Sequence, residues 1–465
     1  MSIVNIKKSY YKNYKFNKIN LKNQDDFNEF RAMSEEQKKY LVKNFNKHLC
    51  NTDIKVLFDN IKEFDFNEVG KLMYKEFKSE HFKKLLDLKI DSNKIYSDSI
   101  DKVRYYDELI TYYLQCREKC SIITCWDRVN STDLEELLQF LKKNGNVYYV
   151  RRFDFNEEEH MSLIYQLYID SNRLSTIESI KDKVKYTTKS GLGGKVHVIV
   201  FDNINNLEIS GGQSKFKTEI RNIVVNRYDN KFRGDDFIHI NDHHCQAIEY
   251  AQIYFNKYSR RQLSNFNIER FLSKDFNRSK IIFLTYKNWL SMNTSLLQRM
   301  KFCLMSGSTL FSHGIRKTND IDAIYIDGDI ELDKKVRYFF FDEKTKFTFS
   351  DVGSENWKGT WKDSNRKWLD LLGINSINDL ILNPRYHYYF FGIKIFRIDL
   401  ELFRKIKIVN SPKTLADIYF INKNSKIEIS DFENNKKVDE HLKKSDKKYR
   451  EKYTFFLKKN YGIDI

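Results

Sequence analysis

Leu304-Met305-Ser306-Gly307-Ser308-Thr309-Leu310-Phe311-Ser312-His313-Gly314-Ile315-Arg316-Lys317-Thr318-Asn319-Asp320-Ile321-Asp322-Ala323-Ile324-Tyr325-Ile326 is the stretch from which the rest of the chain is read. Asp320 and Asp322 stand two apart at the head of an apolar run. A strand alternates its faces with a period of two, so both carboxylates share one face and Ile321 turns into the core. Like charges side by side repel, which makes the pair a poor choice for structure alone. A divalent cation removes the conflict. Magnesium takes few carboxylate oxygens and keeps places for water and phosphate, and two such ions clamp the attacking and leaving oxygens of an in-line displacement. Gly307 and Ser308 follow apolar residues and precede a short helix. Glycine permits close backbone approach, and the serine hydroxyl with the free N–H groups of the next turn suits a triphosphate. The bland alternative is a Gly-Ser turn beside an acidic strand end.

The segment resembles the nucleotidyltransferase superfamily of DNA polymerase beta, which includes poly(A) polymerases and antibiotic nucleotidyltransferases. Its signature is an apolar residue, Gly, then Gly or Ser, 9 to 13 residues, and Asp, apolar, Asp or Glu, apolar. Here eleven residues separate Gly307-Ser308 from Asp320-Ile321-Asp322-Ala323, and Ser306 departs from the apolar position before the glycine. The strong match covers about 20 residues and a loose one about 130. The resemblance implies a polymerase-beta-like domain with a mixed sheet that uses Mg²⁺ (or Mn²⁺) to transfer NMP from an NTP, with ATP favoured. Asp320 and Asp322 would be catalytic metal ligands, and Gly307 and Ser308 would bind nucleotide.

The same resemblance calls for a third carboxylate on a neighbouring antiparallel strand, acting as general base toward the acceptor hydroxyl. Asp399, in Gly392-Ile393-Lys394-Ile395-Phe396-Arg397-Ile398-Asp399-Leu400, is the first candidate for catalysis and metal binding; Asp342 and Asp351 are the rivals. Ser411-Pro412-Lys413-Thr414-Leu415-Ala416-Asp417 looks like the Lys-Asp-x-x-Asp helix of several such enzymes, with Thr414 in place of the first Asp. Lys413 and Arg316 are therefore candidate triphosphate contacts, set against ordinary exposed basic residues.

At 465 residues the chain has room for two or three domains. Its 36 Phe and 29 Tyr argue for packed cores rather than disorder. The expected class is α+β or α/β multidomain. The division is a helical N-terminal region over 1–140, an α/β middle domain over 145–290, the nucleotidyltransferase domain over 291–420, and a charged helical segment over 421–465. Strands are expected at 147–150, 195–201, 237–240, 320–327, 336–342, 346–350 and 388–400, and helices at 156–168, 245–256, 290–301 and 362–372.

Lys and Arg outnumber Asp and Glu by 81 to 64, a net charge of +17 that suits a polyanionic partner. An RNA 3′ end is the favoured acceptor. A small molecule or protein acceptor, or a non-catalytic nucleotide- or RNA-binding module with a decayed transferase core, are the alternatives. The richness in Lys, Asn, Ile, Tyr and Phe follows an AT-rich coding bias and fits a large DNA virus or an AT-rich microbe. No apolar run of about 18 residues and no apolar leader core occur, so the expectation is a cytoplasmic protein that does not cross a membrane. Cys116, Cys120 and Cys125 lack paired zinc spacing and read as reduced, buried thiols.

Three weaker signals remain. Ser210-Gly211-Gly212-Gln213-Ser214-Lys215-Phe216-Lys217 could form an anion-binding turn. Ser190-Gly191-Leu192-Gly193-Gly194-Lys195 leads into a strand and is no P-loop. His239-Ile240-Asn241-Asp242-His243-His244-Cys245 gathers metal-capable groups, with Asp242 open to a plain helix-capping reading.

Overall fold

The computed structural model describes residues 66–79, 81–83, 100–116, 120–169, 174–202, 214–228, 232–318, 320–326, 328–341, 352–353, 374 and 376–407, with isolated positions beyond. The fold is mixed α/β, mostly helical, and holds two sheets.

Helices α1 (Phe66–Phe77) and α2 (Ile100–Cys116) lead into β1 (Cys120–Cys125). Then come α3 (Ser131–Asn144), β2 (Asn146–Phe155), α4 (Glu157–Leu167), α5 (Ile177–Thr187), β3 (Gly194–Asp202), α6 (Lys215–Val225) and β4 (Ile238–Ile240). Asn130, Asn156 and Thr176 cap α3, α4 and α5, each with a reciprocal bond from the third helical residue, so these starts are written locally. The four strands form one antiparallel sheet in the order β2-β3-β1-β4.

Helices α7 (His244–Phe255), α8 (Lys257–Asn265), α9 (Ile268–Leu272), α10 (Asn277–Asn293) and α11 (Leu296–Arg299) connect to the second sheet. That sheet contains β5 (Phe302–Met305), β6 (Asp322–Tyr325), β7 (Val352–Gly353), β8 (His387–Phe390) and β9 (Ile393–Phe396). Between them lie α12 (Gly307–Ser312), α13 (Ile330–Phe341) and α14 (Ile377–Leu382), and α15 (Ile398–Lys407) follows β9. The order is β7-β6-β5-β9-β8; β5 runs antiparallel to β6 and parallel to β9, and β6 runs parallel to β7. The sheet is therefore mixed.

α7 is apolar nearly all round and packs on β1 of the first sheet and β8 of the second. A helix without a polar face belongs inside a core. One apolar cluster accordingly runs from Ile122 and Val198 through Ala251 and Tyr254 to Leu304 and Ile395. The outer face of the first sheet carries a second cluster with α3 and α6, and Cys303, Met305, Ile324 and Leu380 form a third on the far side of β5.

Several expectations are corrected here. Cys120–Cys125, inside the stretch read as helical, is a fully buried strand at the interior of the first sheet. Residues 336–341 belong to α13, because Leu332 and Val336 share its buried face and Asp329 accepts the N–H of Leu332 at its start (3.1 Å). The run 388–400 breaks into two strands and a helix, and the helix expected over 290–301 ends at Asn293 and resumes as one short turn. The expected strand 346–350, helix 362–372 and, apart from Phe455, helix 439–459 lie outside the described residues. No helix among the described residues is long and apolar enough to cross a membrane.

Candidate functional site

β5 ends at Met305, and Ser306 then adopts φ 56°, ψ −120°, a conformation that L side chains rarely take. The turn is held from behind: the Ser306 N–H donates to Glu401 Oε2 at 3.0 Å. It delivers the chain into α12 with Gly307 buried at the first position. A Cβ on Gly307 would lie 2.5 Å from Thr318 Oγ1 and 3.7 Å from Asp320 Oδ1, so only glycine admits the loop at this point.

Thr318 is the hinge of that approach. Its Oγ1 lies 2.9 Å from the carbonyl oxygen and 3.0 Å from Oδ1 of Asp320. Its backbone is tied to Ser279, whose hydroxyl donates to the Thr318 carbonyl (2.7 Å) and accepts the Thr318 N–H (3.0 Å). Two residues on, Asp322 opens β6 as the Cα partner of Met305, the last residue of β5. Ile321, Ala323 and Tyr325 face the main core while Ile324 faces the opposite cluster, so the two carboxylates share a face as the period of two requires. Both are half-buried. Gly307, Asp320 and Asp322 thus meet within one strand-helix-strand unit.

Behind the turn runs a buried ion chain absent from the sequence reading. Glu401 pairs with Lys405 (3.4 Å), Lys405 with Asp417 (2.8 Å), and Asp417 accepts from Arg316 Nε (2.7 Å) and Nη2 (3.2 Å). Arg316 is therefore a structural partner of Asp417 here, which corrects its reading as a triphosphate contact. Asp417 lies in the segment that suggested Lys413; Lys413 itself is outside the described residues. Ser308 is fully buried and its hydroxyl, like that of Thr309, has no hydrogen-bond partner.

Asp399 does not join the pair. It sits in the first turn of α15, where a carboxylate complements the helix dipole. Its oxygens take Arg397 Nε (3.1 Å), Arg397 Nη2 and the N–H of Leu400 (3.0 Å). Among the described residues no three of His, Cys, Asp and Glu gather as a metal-holding group. Asp342 and Asp351 are outside the described residues, but Asp351 directly precedes Val352, the parallel partner of Ala323. Two half-buried carboxylates on one face fit magnesium, which keeps most of its shell for water and phosphate oxygens.

The weaker signals resolve into structure. Asp242 pairs with buried Lys217, His239 lies 2.9 Å from the Tyr250 hydroxyl, and His243 accepts the N–H of Gln246 at the start of α7. Burial pulls His239 down to about 3, so it stays neutral. Asp127 takes the N–H groups of Lys189 (3.0 Å) and Lys195 (3.1 Å), filling the Ser190–Lys195 turn with a carboxylate. Residues 210–213 lie outside the described residues. Cys120 and Cys125 are buried free thiols.

No protein-family model, curated protein or solved structure matches this chain.

Proposed function

We propose that the chain is a Mg²⁺-dependent nucleotidyltransferase that moves NMP from an NTP, ATP first, to an acceptor hydroxyl, with an RNA 3′ end as the favoured acceptor. The observation that carries the reading is the close approach of Asp320 to Gly307, beside the Met305–Asp322 pair. It sets two carboxylates against a strand-to-helix turn with exposed chemistry on one side and core on the other.

Asp320 and Asp322 would hold the metal, which supplies charge neutralisation for the phosphates. The acceptor oxygen attacks the α-phosphorus as the bond to the bridging oxygen breaks. Pyrophosphate leaves with the electron pair, and the hydroxyl proton passes to a carboxylate. With Asp399 committed to Arg397, that base is sought first at Asp351 and then at Asp342.

Labelled NTPs, Mg²⁺ and an RNA primer test the reaction. Primer extension is expected, with a loss of about a thousandfold or more in Asp320→Ala and in Asp322→Ala at unchanged melting temperature. Undiminished extension in both variants sinks the proposal. The binding-module reading draws on the buried Ser308 hydroxyl and the missing third acid among the described residues. Nucleotide or RNA binding without turnover on RNA, protein or small-molecule acceptors would select it.

A further inference from the structure

At the opposite end of β5 from the acidic pair, α7, α10, α11 and β9 enclose a cleft of about 600 Å³, counting space open to solvent. Phe302 and Met300 mark this end, and Met305 the other, roughly 10 Å away along the strand. The cleft's polar lining is under-satisfied. Gln115, 6% exposed, has neither its amide oxygen nor its amide nitrogen bonded, and Gln252, 7% exposed, leaves its oxygen unbonded. Buried amides are almost always paired, so two in one cleft call for a missing partner.

Charge narrows the partner. Arg299 has a buried, unbonded Nε and gives Nη2 only to the Ser291 carbonyl (3.1 Å). Lys394 gives its ammonium to the carbonyls of Met300 (2.6 Å) and Ile381 (3.1 Å). Among the described residues neither cation has a carboxylate partner, while the cleft's one acid, Glu249, is already paired with Lys287 at 3.0 Å. Gly392 (φ +74°) lets Glu249 take that position, since a Cβ there would lie 2.6 Å from the Glu249 carboxyl carbon. The wall opposite the amides is aromatic, from Tyr286, Phe302 and Tyr389.

We infer that this cleft is a binding site for a small anion that joins a flat, hydrogen-bonding ring to one phosphate, the chemistry of a nucleoside monophosphate. Ring edges supply both donors and acceptors for Gln115 and Gln252, ring faces suit the aromatic wall, and the phosphate meets Arg299. The site is separate from Asp320 and Asp322 and does not rest on their proposed chemistry.

Calorimetric titration of the full chain carrying Asp320→Asn and Asp322→Asn, in EDTA, tests it with the four nucleoside monophosphates, their nucleosides and inorganic phosphate. At least one monophosphate should bind tenfold or more tightly than its nucleoside and than phosphate. Gln115→Met and Gln252→Met should each weaken it at least tenfold, and Arg299→Met should erase the advantage over the nucleoside. Without ligand, Gln115→Met should melt no lower than its parent, because an unpaired buried amide is removed. Absence of binding by all four at millimolar concentration, or affinity unmoved by Gln115→Met and Arg299→Met, overturns the inference. So does a crystal soaked with the monophosphates that shows ordered water alone in the cleft.

Discussion

Thr318 occupies the volume that a side chain at position 307 would need, and this contact links the turn to the acidic pair. Gly307→Ala should displace Thr318, break its contact with Asp320 and cost about 1–3 kcal/mol, the usual penalty of overpacking. The added Thr318→Ala change should restore a good part of the stability in urea melts but none of the transfer activity, since the tether on Asp320 is gone. Full recovery of activity in the double variant would show that the tether has no catalytic part. Ser306→Gly at the neighbouring strained position should raise stability by about 1 kcal/mol, read from the same melts. Gly307, Asp320 and Asp322 were legible from type and spacing, because a period of two and a glycine turn are local properties. Glu401, Lys405 and Asp417 were not: their meeting depends on tertiary packing that brings residues about 100 positions apart onto one turn.

Among the elements, the segment after β9 is the instructive one. Its alternating apolar residues read as a long strand, but the chain turns at Arg397 and α15 begins, with Asp399 and Glu401 in the acidic first turn. Sequence alternation over a few residues does not separate a strand end from a helix start when both faces are buried. Asp399→Asn should therefore lower the melting temperature sharply, on the order of 3 kcal/mol, because it strips a buried guanidinium of its charge partner. Activity per folded molecule should be retained, in contrast to Asp320→Ala. If Asp399→Asn leaves stability intact and abolishes transfer, its role is chemical and its pairing with Arg397 incidental. The capped helices α3 to α5 were easier to read, since a cap and its partner lie within four residues. β1 was missed because a six-residue apolar run carries no period of its own, and its neighbours in the sheet come from residues 194–202 and 238–240.

Across the whole molecule, the core shared by both sheets has two consequences. Unfolding should be a single transition in which near-ultraviolet and far-ultraviolet signals coincide, since Ala251 and Tyr254 bind the sheets into one apolar cluster. Acid should weaken it in a defined window. Burial holds His160, His197 and His313 down to about 4 and His239 to about 3, against an ordinary 6.5. Below pH 6.5 the unfolded chain takes up protons that the folded one refuses, so stability is full above 6.5 and declines toward pH 4. Each histidine contributes on the order of 2–3 kcal/mol to the decline. Urea midpoints at pH 7.5, 6 and 5 should fall in turn, with a shallower fall in His239→Gln; a midpoint flat to pH 4.5 contradicts this account.

The parallel pairing of Leu304 with Ile395 has a consequence for how the chain is made. A strand near the middle of the polypeptide leaves the ribosome about 90 residues before the partner that shields its flank. During that interval β5 and β6 can pair as a hairpin-like unit, yet the apolar edge of β5 stays open. Long-range pairing of this kind is slow and exposes sticky surface while synthesis continues. The nascent chain therefore depends on chaperone cover until residue 396 has emerged, and the acidic pair is assembled well before the sheet that supports it is closed.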